Sequence, residues 1–103
     1  DEKITRIRQE IPLMKEVKNE EGMTNAQLYR IYIERYLSQH PLVNKNLYLI
    51  IAQREPTPYG VPIEIYFFLS DTIWKEYEQI QSDIFDHLLV MVEKFDLKLY
   101  QYS

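Results

Sequence analysis

The stretch "NLYLIIAQREPTPYGVPIEIYFFLS" (residues 46–70) decides the fold, because two β-rich runs flank a loop rich in proline and glycine. Residues 46–55 and 61–70 are dominated by Ile, Leu, Tyr and Phe, and the loop between them reads "PTPYG". This arrangement predicts a β-hairpin. Gly60 is expected to adopt a positive φ, and Pro62, close to a strand start, indicates an edge strand or a bulge.

The hairpin strands distribute apolar side chains over both faces of the predicted sheet, since successive residues of a strand point to opposite sides. A run at residues 97–102, "LKLYQY", is predicted to add a final strand. The face expected to meet the helices comprises Leu47, Leu49, Ile51, Val61, Ile63, Ile65, Phe67, Leu97 and Leu99. The other, which we call the aromatic face, comprises Tyr48, Ile50, Ala52, Tyr66, Phe68, Tyr100 and Tyr102. In a sandwich with helices on only one side of the sheet, this face should be exposed to solvent, yet it is largely apolar and aromatic. Exposed apolar patches usually mark a surface that binds a partner.

Three interpretations of the aromatic face remain open. Packing on another protein surface is favoured, either on a second copy or on the rest of the same polypeptide, with contacts at Tyr48, Tyr66, Phe68 and Tyr100. The second interpretation is that RNA bases stack on the tyrosines. The chain has 12 basic and 16 acidic residues and a formal charge of −4, which disfavours a nucleic-acid partner. Small-ligand binding between protomers is the third, and no sequence feature marks it.

One helix is predicted before the hairpin in the sequence and another after it. Asn25 is expected to be the N-cap of a helix that continues to about Gln39, and Pro41 ends it. After the hairpin, Ser70 or Asp71 is expected to cap a helix of about 24 residues. Its apolar arc at helical spacing comprises Ile73, Tyr77, Ile80, Ile84, Leu88, Met91 and Phe95.

The first 22 residues are predicted to be a helical lead-in to an α+β domain at residues 23–103. Pro12 should interrupt the lead-in helix, whose apolar residues at helical spacing are Ile4, Ile7, Ile11 and Met14. The remaining order α-β-β-α-β predicts a sandwich with helices on one face of an antiparallel sheet. It is similar to the ferredoxin-like plan without its first strand.

Composition excludes several classes of protein. The chain has no cysteine, which fits a reducing compartment and excludes thiolate nucleophiles, thiolate zinc sites and iron–sulfur ligation. Its longest apolar run, Leu47 to Ala52, is far shorter than the roughly 20 residues of a membrane-spanning helix. The chain begins at Asp1 without an initiating methionine, so we expect it to be a piece of a longer protein.

Asp83, Asp86 and His87 form the one cluster of residue types suited to metal binding or acid–base catalysis. Asp83 and His87 are four residues apart and therefore neighbours on a helix. A metal site would need further ligands, yet His40 is the other histidine and no HExxH spacing occurs. The favoured interpretation is structural: the His87 ring packs beside the apolar arc while its nitrogens bind Asp83 or water. We therefore predict no catalytic residue, cofactor or metal.

Three segments together resemble a known family: "MTNAQLYRIYIERYLSQHP" (23–41), "IIAQREPTPYGVPIEIYFF" (50–68) and "WKEYEQIQSDIFDHLLVMVEKFDLKLYQ" (74–101). They resemble the C-terminal cytosolic domain of mechanosensitive channels of the MscS superfamily, in particular its miniconductance (MscM) branch. The most specific parts are "PTPYGVPIEIY" (56–66) and the residues from Trp74 to Leu88. The signature residues are Pro58, Gly60, Pro62, Trp74, Tyr77, Gln81, Asp83, Asp86 and His87.

The resemblance implies a non-enzymatic, ferredoxin-like domain whose first strand lies upstream of Asp1. It implies a homo-oligomer, heptameric in the family, whose cytosolic vestibule lies beneath a pore in the inner membrane of a prokaryote. Bilayer tension opens such channels, which release ions and solutes on hypo-osmotic shock, and the membrane part would also lie upstream. The alternative is a stand-alone ferredoxin-like binding module that takes RNA or a small ligand on the aromatic face.

Overall fold

The computed structural model describes residues 2–18, 22–70 and 76–99, which form an α+β structure. Its helices are α1 (Glu2–Glu10), α2 (Asn25–Gln39) and α3 (Tyr77–Met91), and its strands are β1 (Ile50–Gln53) and β2 (Ile63–Tyr66). Short 3-10 turns follow α1 at Pro12–Met14 and α3 at Glu93–Phe95. The prediction of an α+β class is therefore confirmed.

The break at Pro12 is confirmed, because α1 ends at Glu10 and the chain passes into a 3-10 turn that begins with the proline. Proline disfavours helical geometry in the residue before it, and Ile11 is extended, with φ −118° and ψ 104°. The apolar side chains of this segment are buried in the common core: Ile4, Ile7, Ile11, Met14 and Val17.

Helix α2 has the predicted extent, but its cap is one residue earlier than predicted. The Thr24 hydroxyl oxygen accepts a hydrogen bond from the backbone N–H of Gln27 at 3.0 Å, and Thr24 has the extended conformation of an N-cap. Asn25 is already helical, so its prediction as the cap was wrong. The helix ends before Pro41, as predicted. It buries Leu28, Tyr29, Tyr32, Ile33 and Leu37.

The hairpin forms as predicted, with strands shorter than the two β-rich runs. β1 and β2 are antiparallel, and their register pairs Ile50 with Tyr66 and Gln53 with Ile63. Backbone hydrogen bonds between Thr57 and Gly60 close the loop in both directions, at 2.8 and 3.1 Å. Gly60 has a φ of 134°, which confirms the predicted positive φ.

Alternation assigned most of the sheet side chains correctly. Members of the predicted inner face that pack against the core are Leu49, Ile51, Ile63, Ile65, Phe67 and Leu97. Leu47, Val61 and Leu99, assigned to the same face, are instead exposed. Of the described aromatic-face residues, Tyr48, Ile50, Tyr66 and Phe68 are exposed and Ala52 is half-buried.

Helix α3 is shorter than predicted. The backbone N–H of Ser70 donates to the Leu42 carbonyl at 2.8 Å, which holds Ser70 against the segment before the hairpin, and the helix begins at Tyr77 after Glu76. The predicted cap at Ser70 was therefore wrong; Asp71 and Ile73 lie outside the described residues. On the predicted arc, Ile84, Leu88 and Phe95 are buried, whereas Tyr77 is exposed.

After α3 the chain turns at Asp96, which has a left-handed φ of 56°. Leu97 to Leu99 form no strand, so the predicted final strand is absent over these three residues, and its remaining positions 100–102 lie outside the described part. The sheet of the described residues contains only β1 and β2. Residues 97–99 are not hydrogen-bonded to it, and a strand forms only where a neighbour pairs with its backbone.

Candidate functional site

The aromatic face presents an exposed cluster at one end of the hairpin. The Tyr48 and Phe68 rings meet edge to face, with centroids 5.1 Å apart and planes at 88°, a geometry that aromatic pairs prefer. The exposed fractions are 61% for Tyr48, 49% for Tyr66 and 37% for Phe68. Tyr100, the fourth predicted contact residue, lies outside the described residues. The three described residues therefore share one surface, as the alternation predicted.

A charged pair borders the aromatic cluster toward the loop end of the hairpin. The Arg54 guanidinium lies 2.9 Å from the Glu64 carboxylate, which also accepts a hydrogen bond from the Tyr66 hydroxyl at 3.1 Å. The hydrogen bond from Arg54 and, to a smaller extent, the one from Tyr66 lower the pKa of Glu64. The carboxylate orients the Tyr66 hydroxyl, so the ring is held by a bond at its polar tip while its apolar face stays exposed.

The signature residues of the hairpin loop lie at its tip. Pro58 precedes the exposed Tyr59, and Gly60 closes the loop through its backbone hydrogen bonds with Thr57. The Pro62 carbonyl accepts a hydrogen bond from the Arg54 backbone N–H at 2.9 Å, directly before β2 begins. Pro62 therefore lies at a strand start, one of the positions where a missing N–H is tolerated.

The signature residues of α3 do not converge on a single site. Tyr77, Gln81, Asp83 and Asp86 are exposed, and Trp74 lies outside the described residues. Gln81 borders a cavity of about 230 Å³ beside Tyr48, Tyr66 and Phe68. The Gln79 side-chain amide donates to the Asp83 carboxylate at 2.8 Å, one helical turn away.

His87 packs between aromatic rings of α2 and does not bind Asp83. Its Nε2 lies 2.6 Å from the Tyr32 hydroxyl oxygen, and its ring stacks on Tyr36 with centroids 4.4 Å apart. Ring packing beside the apolar arc is as expected. Asp83 or water was expected to bind the ring nitrogens, and Nε2 instead pairs with the Tyr32 hydroxyl. Three tyrosines at helical spacing on α2, Tyr29, Tyr32 and Tyr36, are the sequence signal for these partners.

Burial sets the protonation states in this cluster. Burial raises the pKa of Tyr32 to about 12, and the charge of Tyr36 acts in the same direction. Burial also lowers the pKa of His87. At neutral pH a protonated Tyr32 hydroxyl can therefore donate to an uncharged His87 ring. Such a pair joins two helices; catalysis would also require a pocket with a nucleophile or oxyanion donors around it.

Within residues 2–18, 22–70 and 76–99, no three His, Asp or Glu side chains converge on a position where they could hold a metal ion. None of the helices in these ranges has the length and apolar character needed to cross a bilayer.

An apolar groove that the sequence did not reveal lies beside β2. Its volume is about 680 Å³. We call it the edge groove and define it by Ile63, Ile65, Leu88, Leu89, Val92 and Leu97. Its residues were predicted individually as inward-facing strand and helix positions, but the gap between them depends on how residues 97–99 leave α3.

No protein-family model matches this chain, and no solved structure matches it significantly. The functional assignment therefore depends on the residues and geometry of the chain itself.

Proposed function

We propose that this chain is a cytosolic domain of a tension-gated mechanosensitive channel of the MscS superfamily, in its miniconductance branch. In this proposal the domain is ferredoxin-like and non-enzymatic, and it forms part of the vestibule through which ions and solutes leave on hypo-osmotic shock. The membrane part belongs to other segments of a longer polypeptide, in the inner membrane of a prokaryote. The motifs at residues 56–66 and 74–88 support this assignment.

The observation that carries the proposal is the exposed aromatic cluster of the hairpin. Tyr48, Tyr66 and Phe68 form one surface with Ile50 beside them, and aromatic residues are enriched among the energetically dominant residues of protein interfaces. Burial of apolar surface contributes roughly 25 cal/mol per Å², so covering these rings favours association. A ring of identical subunits, heptameric by resemblance, provides such a cover at every subunit boundary.

The Arg54–Glu64 pair is consistent with a protein partner. The two charges neutralise each other beside the rings, so this part of the surface offers no unpaired cation to a phosphate backbone. Nucleic-acid affinity is dominated by such cations. A protein surface can instead cover the rings while the charge pair stays at the solvated rim.

The proposal is tested by replacing the aromatic residues in the full-length channel. Tyr66→Glu together with Phe68→Glu should prevent or weaken assembly, because each carboxylate would lose its hydration in the interface. Ser82→Glu, at an exposed position of α3, is the matched control and should assemble normally. Particle mass in detergent and survival of channel-deficient cells after osmotic downshock are the two measurements.

Each outcome bears on a separate part of the proposal. Normal mass of the double variant would show that the aromatic face is not the subunit contact. Absence of tension-activated current in membrane patches that contain the unaltered full-length protein would overturn the channel assignment itself.

The alternative of a stand-alone RNA-binding module uses the same exposed tyrosines. Titration with single-stranded RNA at moderate salt separates it from the channel proposal. Saturable binding that is lost on Tyr66→Ala would favour the RNA-binding module, since base stacking depends on the ring. Absence of binding would remove it.

A further inference from the structure

The connection between α2 and β1 pairs with the segment that follows β2. Val43 and Leu69 form an isolated antiparallel bridge, and both side chains are buried. Two backbone hydrogen bonds flank this pair, from the Asn44 N–H to the Phe68 carbonyl at 2.7 Å and from the Ser70 N–H to the Leu42 carbonyl at 2.8 Å. We call this pairing of residues 42–44 with residues 68–70 the connection bridge. Because Phe68 belongs to it, the bridge also positions one ring of the aromatic face.

The His40 imidazole fixes the turn that leads into the connection bridge. Its Nδ1 accepts a hydrogen bond from the Leu42 backbone N–H at 3.1 Å, so this nitrogen carries a lone pair and no proton. Asparagine and aspartate form the same kind of turn when a side-chain oxygen accepts from the N–H two residues on. The bond orients Leu42, whose carbonyl accepts from Ser70 on the other side of the bridge.

Protonation of His40 would remove this acceptor. A charged imidazole carries a proton on both nitrogens and can only donate, so Nδ1 and the Leu42 N–H would become two donors that face each other. The Leu42 N–H would then have to leave the ring, because a donor without an acceptor in a half-buried site costs free energy. Uptake of a proton by His40 is therefore coupled to opening of the turn.

The cation nearest to the turn acts in the same direction. The Lys45 ammonium donates to the backbone carbonyls of His40 and Val43, on the same connection. A second positive charge on the His40 ring would be repelled by it. Among the described residues no carboxylate forms an ion pair with His40 that would offset this repulsion, and residues 68–70 carry no titratable side chain.

The helices present uncharged rings to His40. The Tyr36 ring of α2 lies edge-on to the imidazole, with centroids 5.7 Å apart, and burial, followed by the charge of Asp83, raises the pKa of Tyr36. On α3, His87 stacks on the opposite side of this tyrosine at 4.4 Å. Burial, followed by the charge of Lys45, lowers the pKa of His40, in agreement with a ring that is uncharged when the turn is closed.

We propose that the connection bridge is an acid-sensitive contact, which an uncharged His40 ring holds closed and which opens when the ring takes up a proton, while the helices and the β1–β2 ladder remain folded. Opening releases residues 68–70 from the connection and frees Phe68 from the position in which it packs on Tyr48. The contact therefore controls the order of the aromatic face. The proposal does not rest on the channel assignment, because it concerns the pairing of two segments within one chain.

Amide hydrogen exchange of the whole chain tests the proposal at the residues concerned. The Asn44 and Ser70 amides report opening of the connection bridge, and the Ile33 amide, at a buried position of α2, reports unfolding of the whole structure. From about pH 7.5 to about pH 5.5, protection factors at Asn44 and Ser70 should fall about fivefold or more relative to that at Ile33. A histidine that titrates near pH 6.5 when the turn is open permits up to about tenfold over this range.

The tautomer of His40 gives a second measurement that requires no substitution. Nitrogen-15 chemical shifts of the ring at about pH 7.5 should show a proton on Nε2 and none on Nδ1, because Nδ1 accepts from Leu42. A proton on Nδ1 at this pH would overturn the proposal.

Two substitutions assign the effect to one histidine. His40→Asn supplies an oxygen that accepts from the Leu42 N–H at any pH, so protection at Asn44 and Ser70 should no longer change with pH relative to Ile33. His87→Gln is the matched control, because His87 is also half-buried and burial lowers its pKa. This variant should keep the fivefold difference.

Three further results would overturn the proposal. Equal loss of protection at Asn44, Ser70 and Ile33 on acidification would mean that acid acts on the fold as a whole. A relative loss that persists in His40→Asn would assign the opening to another group. A relative loss that disappears in His87→Gln would place the sensitive ring between α2 and α3 instead of in the connection.

Discussion

The Tyr32 hydroxyl oxygen of α2 lies 2.6 Å from Nε2 of His87 on α3, and this contact between a buried tyrosine and a half-buried histidine joins the two helices. A hydrogen bond of this kind contributes about 0.5–1.5 kcal/mol to stability. Tyr32→Phe should lower the free energy of unfolding by that amount, measured by urea denaturation, because the ring remains while the donor is lost.

Tyr36→Phe is the matched control for this change. The Tyr36 ring stacks on His87, and its hydroxyl makes no hydrogen bond to the described residues, so the variant should remain within about 0.5 kcal/mol of the wild type. Equal losses in the two variants would show that the Tyr32 hydroxyl contributes nothing specific.

Stability should fall as the solution is acidified below neutral pH. Burial lowers the pKa of His87, and burial followed by the charge of Lys45 lowers that of His40. Both folded-state values are below the unfolded value of about 6.5, so the unfolded chain binds more protons as the pH drops through this range. The stabilisation is therefore fully present above about pH 6.5 and decreases as the pH falls toward the folded values.

Urea midpoints at about pH 7.5 and pH 5.5 measure this dependence, above the range in which ordinary carboxylates titrate. His87→Gln should reduce the slope, and combination with His40→Gln should reduce it further. A midpoint that rises on acidification, or a slope that survives both substitutions, would contradict the assignment to these histidines.

The cap of α2 gives a test of a single hydrogen bond. Thr24→Ala removes the acceptor of the Gln27 N–H and should cost about 0.5–2 kcal/mol. Asn25→Ala should cost less, because the Asn25 side-chain oxygen is buried without a hydrogen-bond partner among the described residues and its removal relieves an unpaired acceptor. Thermal denaturation of both variants gives the comparison, and the reverse order would restore Asn25 as the cap.

Local chemistry in the sequence was sufficient to predict the hairpin. Alternating apolar residues, Gly60 and the proline-rich loop act within a few positions of one another, so the strand pair and both of its faces followed from the pattern. The break at Pro12 and the end of α2 before Pro41 followed for the same reason. Residues on the aromatic face were predicted because side-chain direction in a strand has a period of two.

Features that depend on distant partners were not predictable. The apolar period of 3.6 continues from Ile73 to Phe95, and nothing in it shows that the Ser70 N–H binds the Leu42 carbonyl or that α3 begins at Tyr77. In the same way, Asp83 is nearer to His87 in sequence than Tyr32 is, yet packing of α2 on α3 brings Tyr32 to the ring. The edge groove likewise arises from the path of residues 97–99.

Phe95 shows how a position can be predicted correctly although its local structure was not. The sequence assigned it to the apolar arc of a continuous helix, whereas it lies in the 3-10 turn after α3, fully buried. Its ring centroid lies 5.4 Å from that of Tyr29 and 5.5 Å from that of Tyr32. Phe95→Ala should therefore cost about 3–5 kcal/mol, since it removes apolar contacts and leaves a cavity between α2 and α3.

Val90→Ala serves as the control for Phe95→Ala, because Val90 is exposed on the last turns of α3. Its free energy of unfolding should stay within about 0.5 kcal/mol of the wild type. Urea denaturation of both variants under identical conditions makes the comparison. A loss below about 1 kcal/mol for Phe95→Ala would mean that the turn after α3 does not anchor α2.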